Sequence, residues 1–164
     1  MTQVTHRELT VRLPEYDVTA VVRLHTQSSP TITALVWDCI EQPLESVTGH
    51  AAFDGEELFT YIPPFTKNGE RIAPPVEDWT LWPKPGDLVF FYRRPNERTG
   101  RDALYELAFM YGETDLRHYH ETGLVGSVIG HMSEGAEAFA KACASTRTRG
   151  QTKITVARKA DAAT

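Results

Sequence analysis

The sequence predicts a mainly β fold: a closed antiparallel barrel of about eight strands, with two short α-helices capping it. Three observations predict it. Most apolar stretches alternate with period two, only two windows switch to helical spacing, and 164 residues without an internal repeat or linker fit a single domain spanning 1–164. Antiparallel strands in that number avoid exposed edges most simply by closing on themselves. An eight-stranded interior fills with side chains, so a site belongs on the outer face or at a mouth.

The elements follow in order. Leu9, Val11 and Leu13 alternate with polar neighbours, as do Val18, Ala20, Val22 and Leu24 beyond the turn "PEYD", which reads as a hairpin. Ile32, Leu35, Val36, Cys39 and Ile40 then fall at helical spacing, with Ser29 as N-cap, Pro30 at the first helical position and Pro43 beyond the end. Asp54-Gly55 is a hairpin signal between two strand-like runs. From Pro63 to Gly86 regular patterning stops. That stretch holds six of the ten prolines together with Trp79 and Trp82, and a long loop rich in aromatics is ordered and commonly functional.

After "PKPGD" the strands return. "LVFFYRR" is apolar on both faces, as a central or barrel strand should be, and "ALYELAFMYG" follows the turn "PNERTGRD". In "TGLVGSVIGHM", Gly123, Gly126 and Gly130 mark a bulge or a close backbone approach. The second helix is "SEGAEAFAKACAS", capped by Ser133, with Ala136, Phe139, Ala140 and Cys143 as its apolar stripe and Arg147 and Arg149 past its end. "TKITVAR" closes the barrel, and the tail "KADAAT" is expected to fray.

Composition excludes several function classes. An apolar fraction of 41%, a charged fraction of 24% and a net charge of −5 describe an ordinary soluble protein with no basic face for nucleic acid. The N-terminal "MTQVTHRELTV" has no leader pattern, and no stretch approaches the length needed to cross a bilayer, so the expected setting is the cytoplasm, without membrane partners. Cys39 and Cys143 fall in helical patterns and read as small core residues, and no cofactor is expected.

The order of elements, with the segment "LHTQSSPTITALVWDCI", resembles the cyclophilin-like barrel. Together with "GHAAFDGEELFTYIPP", "WPKPGDLVFFY" and "ELAFMYG", it is similar to an uncharacterised bacterial family of small cyclophilin-like proteins over residues 9–158. The resemblance implies the fold and leaves the activity open. Cyclophilins use an arginine that hydrogen-bonds the prolyl amide, in a strand segment ending with glutamine and paired glycines. Between Leu44 and Ile62 this chain has neither arginine nor glutamine, so no prolyl isomerase turnover is expected.

Candidate site residues come from the same patterns. Glu106 shares its parity with Leu104, Ala108 and Met110, which places one carboxylate on an apolar strip; it is a candidate acid, base or ligand anchor, or else a structural carboxylate satisfied by backbone amides or Arg23. Tyr105, Phe109 and Tyr111 take the opposite parity, so they share a face with Glu106 only across a bulge. His50 precedes the Asp54-Gly55 signal, where the site of cyclophilins lies, and Phe53 and Tyr61 flank it as ring contacts. Trp82 and Tyr92 bracket "PKPGD" as walls of a groove, with Phe109 and Tyr111 as further candidate contacts; Trp37 marks a candidate subunit contact in a homodimer.

The stretch "RHYHETG" places His118 and His120 two apart, with Glu121 adjacent. Gly112 followed by "ETDLR" and "HYH" matches the start of a cupin metal motif, but the glutamate expected next is missing, since residues 122–128 read "TGLVGSV". Histidines at a strand end in a polar turn are the preferred reading, and no metal is expected. The expected function is binding of a small polar or anionic molecule. The alternatives are a small hydrolase or isomerase using Glu106 and His50, a metal-binding cupin-like barrel through His118 and His120, and a purely interacting subunit.

Overall fold

Alternation of side chains produces the first hairpin: β1 (Glu8–Leu13) and β2 (Val18–Leu24) send Leu9, Val11, Leu13, Ala20 and Val22 inward, all buried. The turn between them is the 3-10 segment Pro14–Tyr16, with Asp17 in the left-handed region at φ 52°. The computed structural model describes residues 7–160. The end of the predicted frayed tail, from residue 161, lies outside the described residues.

Helix α1 (Pro30–Cys39) starts as the proline implies, but Ser29 does not cap it. Its hydroxyl donates instead to the Val128 carbonyl at 2.8 Å. The free N–H groups of Thr31 and Ile32 are taken by the Glu77 carboxylate at 3.1 and 2.9 Å, an anion placed where the helix dipole favours one. Glu77 belongs to the proline-rich stretch, and that stretch is ordered by such contacts. Its own N–H donates to Ser127 Oγ at 3.0 Å, and a small ribbon of β6 (Thr66–Lys67) and β7 (Glu70–Arg71) turns at Asn68-Gly69.

The remaining strands are β3 (Leu44–Val47), β4 (Gly49–His50), β5 (Gly55–Ile62), β8 (Asp87–Arg93), β9 (Leu104–Thr114), β10 (Gly126–Glu134) and β11 (Lys153–Arg158). Together with β1 and β2 they form one nine-stranded sheet in the order β3-β11-β1-β2-β10-β8-β9-β5-β4, with every pairing antiparallel. Its ends curl together until the Thr60 hydroxyl of β5 donates to the Val47 carbonyl of β3 at 2.9 Å. The result is a nearly closed barrel.

Helix α3 (Ala136–Arg149) packs Phe139, Ala142 and Cys143 onto the interior. Ser133 is not its cap either. It lies in β10 and donates to the Val21 carbonyl, while Gly135 at φ 74° takes the N-cap position; a Cβ there would meet the Thr19 carbonyl oxygen at 2.4 Å, so the turn needs glycine. A third helix, the single turn α2 (Arg117–Glu121), replaces the strand end expected at His118 and His120. Asp115 nucleates the turn by accepting the Arg117 N–H at 3.1 Å and its guanidinium, and Leu116 anchors it on the barrel's outside.

Two apolar clusters result. The first fills the barrel with Leu88, Phe90, Leu107, Phe109 and Ile129 and takes in Ile32 and Val36 of α1. The second lies outside, where Val89, Phe91, Ala108, Met110 and Val128 meet Leu116, with Tyr119 and Leu124 packed on them. This explains why "LVFFY" is apolar on both faces. Gly126 belongs to the outer layer, since a Cβ there would lie 2.6 Å from Val89 Cγ1 and 2.8 Å from the Phe91 ring. Among the described residues no helix is long and apolar enough to cross a membrane.

Candidate functional site

Polar groups interrupt the outer cluster at one place. Strand register sets Tyr61, Glu106 and Phe91 side by side on β5, β9 and β8, and Arg93 follows Phe91 on the same face two residues on. Arg93 Nε donates to Glu106 Oε2 at 3.3 Å; the Glu106 side chain is fully buried and that of Arg93 is 29% exposed. Glu57 stands further along the same face of β5, beyond Phe59 and opposite Met110, and Asp54 comes from the turn before it, held by the Asp115 N–H donating to its carbonyl at 2.8 Å. Both carboxyls are buried.

Three buried carboxyls therefore gather near one guanidinium, which bonds Glu106. Burial pushes Glu57 well above the usual carboxylate range, and the neighbouring Asp54 carboxyl adds to the rise. Burial also raises Glu106, against the opposing pull of Arg93. Asp54 and Glu57 lie within hydrogen-bonding reach of one another, so that a proton on Glu57 can be shared between them, and no other group bonds Asp54 Oδ1, Asp54 Oδ2 or Glu57 Oε2; Glu106 Oε1 has no partner at all. Buried polar atoms without partners are uncommon in folded proteins, and such groups gather at functional sites.

Tyr119 of α2 roofs this cluster. Its ring centroid lies 5.4 Å from Arg93 Cζ, and its edge meets Phe91 at 5.8 Å. Burial and the charges of Asp54 and Glu57 push its phenol up to about 12. Beyond the roof runs a groove of about 780 Å³, lined by Phe53, Tyr92, Arg93, Arg94, Glu97, Arg101, His118 and Tyr119 among others. Arg101 is fixed there by donating to the carbonyls of Asp102 at 3.0 Å and Arg94 at 2.8 Å. A second cleft of about 260 Å³ shares Tyr92, Arg94, Pro95 and Gly123 with the groove and adds the apolar Pro74, Pro75, Val76 and Phe90.

The residues singled out in the sequence divide between two faces. Glu106, Tyr61 and Phe53 lie outside; Phe53, 82% exposed, forms the groove's lip 6.1 Å from the His118 ring. Tyr92 lines both cavities and tilts against Tyr105 at 5.2 Å. Trp82 sits on the far side of Phe53 in a separate depression, beside Arg117. Phe109 is wholly buried against Phe139 and does not reach the groove.

His50 pairs with the inward Leu58. Its Nδ1 lies 2.8 Å from the Ala51 carbonyl and so carries the proton, leaving Nε2 to accept from the Tyr111 hydroxyl at 2.6 Å and from Arg147 Nε at 3.3 Å. Glu106 and His50 thus stand on opposite faces of the sheet, and no acid–base pair joins them. His118 and His120 also part company on their helical turn: His120 stacks flat on Trp79 at 5.7 Å while His118 faces Phe53. Among the described residues no group of three or more His, Cys, Asp or Glu is placed to hold a metal. Trp37 packs within its own chain, between Arg158 at 4.8 Å and Arg7 at 5.4 Å.

Sequence reasoning missed Arg93, Asp54, Glu57 and Tyr119. A signal existed for Arg93, because it continues the outward parity of Val89 and Phe91 and so lands beside Glu106. Glu57 gave none, since a register shift between Gly55 and Glu57 decides which of two adjacent glutamates turns inward to the cluster.

A nearly closed antiparallel barrel with a charged cluster buried on its outer face is the class of protein that fold and site define. The chain belongs to the DUF3830 family, described as a protein of unknown function, which matches residues 11–158. None of the curated proteins matches it. Among solved structures, that of McbB in complex with tryptophan is similar in fold, with a TM-score of 0.63 and 22% sequence identity. The match covers 95% of this chain and 46% of the McbB chain, so this chain spans less than half of that protein's length.

Proposed function

We propose that the protein binds a small anionic molecule, a carboxylate with an apolar body, in the groove outside a cyclophilin-like barrel. One observation carries this reading: three arginines, Arg93, Arg94 and Arg101, line a single groove against the one acidic residue Glu97, in a chain whose net charge is −5. Guanidinium forks suit planar carboxylates, and the aromatic and proline walls of the adjoining cleft suit a flat apolar group. Tryptophan, the ligand in the McbB complex, has both features, which agrees with this reading without assigning that ligand here.

The test is calorimetric titration with 3-phenylpropionate and with aliphatic carboxylates at low ionic strength. The expected result is saturable binding that weakens with added salt, and that weakens roughly ten-fold in Arg94→Ala and in Arg101→Ala, as loss of about 1.5 kcal/mol from a charged hydrogen bond implies. Absence of binding by every carboxylate sinks the proposal.

The reading also holds that peptides are not turned over. The one arginine on this outer face that contacts the cluster, Arg93, comes from β8 and gives its Nε–H to Glu106. A protease-coupled assay with a proline peptide is expected to show the uncatalysed rate alone, and cyclophilin-like acceleration would contradict it.

A further inference from the structure

Asp54, Glu57 and Glu106 bury three carboxyls near one guanidinium; a proton held by Glu57 can bridge it to Asp54, but Glu106 Oε1 is fully buried without a partner, and that points to a donor the chain itself does not supply. Fixed buried acceptors lacking donors destabilise a fold, so their retention needs a compensating ligand. An ammonium group is suited to this: it brings one positive charge and three N–H donors, which can reach oxygens on separate side chains. A bare metal ion needs three or more ligands converging on one point, which are not found among the described residues, whereas an ammonium can be held by as few as two oxygens.

We infer that Asp54, Glu57 and Glu106 form a subsite for a protonated amine, so that the groove's ligand is a zwitterion of the α-amino acid class. This rests on the carboxylate reading of the groove. The linking residue is Arg93, which lines the groove and also touches Glu106. A carboxylate held on the arginine side therefore leaves its α-amine next to the buried acids. A second approach exists at Asp54, which lines the depression of about 550 Å³ shared with Phe53, Trp82 and Lys84.

Entry requires the Tyr119 roof to shift. Tyr119 sits on one helical turn whose flanking histidines are held by the exposed rings of Trp79 and Phe53, so the shift breaks ring contacts at the surface and leaves the barrel interior intact. The roof belongs to the least deeply packed helix of the three, with no buried residue of its own.

Isothermal titration with phenylalanine and 3-phenylpropionate tests the inference, because the two differ only by the amine. Phenylalanine is expected to bind at least ten-fold more tightly. In the double variant Asp54→Asn/Glu57→Gln that advantage should vanish while 3-phenylpropionate binds as before, and the thermal melt of the variant reports that it is folded. Glu106→Gln serves as a second, independent variant with the same expected loss. Equal affinity for the two probes overturns the amine subsite and leaves the carboxylate groove standing. An advantage that survives in both variants also overturns it, and binding of neither probe overturns both readings.

Discussion

Replacing Arg93 by methionine is expected to destabilise the protein by about 3 kcal/mol at pH 8, the lower end of the cost of stranding one partner of a buried ion pair. The lower end applies because the Arg93 side chain keeps 29% of its surface exposed, whereas the Glu106 carboxyl has none. Water can solvate the arginine but cannot reach the glutamate. The loss should therefore be asymmetric: Glu106→Gln removes the buried charge and leaves a cation that can turn toward the groove, so it costs less than Arg93→Met.

One further variant and one change of pH sharpen the expectation. In Arg93→Met/Glu106→Leu the pair is replaced by apolar groups among Val89, Phe91, Ala108 and Met110, and most of the stability should return. The defect of the single Arg93→Met should also shrink toward pH 5, where the stranded carboxyl takes up a proton more readily. Urea unfolding with an unchanged slope measures all of this. An Arg93→Met protein as stable as the parent at pH 8 would show that the pair contributes nothing.

The barrel was legible because alternation is a strong signal wherever one face is wet or polar. β1 and β2 carry that signal, β8 was read instead as a run apolar on both faces, and in β9 the parity assigned to Glu106 against Tyr105, Phe109 and Tyr111 is the one the register produces. The helix starts were harder to read. Ser29 and Ser133 have the right chemistry and nearly the right place, yet tertiary acceptors at Val128 and Val21 claim their hydroxyls, and α1 is served by Glu77 from 45 residues away in sequence. Capping by a distant carboxylate leaves no local pattern.

The site was half legible for a related reason. Glu106 announces itself as a charge on an apolar strip, but its partners are set by pairing between strands that no short window contains. Asp54 reads as a turn residue and Glu57 as one of two consecutive glutamates, and only the bulge beside Gly55 brings the second of them under the roof. Tyr119 lay in a stretch read for its histidines. The aromatic between them turned out to carry the contact with Arg93, because a helical turn sends residues 118 and 120 to opposite sides and 119 toward the sheet.

Glu57→Gln is expected to stabilise the protein by about 1–3 kcal/mol at pH 8, the cost of leaving a buried charged acceptor unsatisfied. The sign follows from linkage. In the unfolded chain Glu57 ionises near its ordinary 4.5, whereas in the fold it holds its proton to higher pH because burial and Asp54 oppose the charge. Between those two values the native state binds more protons than the unfolded one, so stability is fully present below about 4.5 and is lost as pH rises through the folded value. Glu106 shifts in the same direction and adds to the loss. Glu8, held low chiefly by its hydrogen bond from Lys159, works the other way, and its contribution fades only in acid. The parent should thus be more stable at pH 5 than at pH 8. Glutamine keeps the shape, carries no charge and offers Asp54 an N–H, so the variant's gain should be near zero at pH 5 and grow toward pH 8. Urea denaturation at the two pH values decides it, and a Glu57→Gln protein less stable than the parent at both would mean that the carboxylate is ionised and satisfied in the fold.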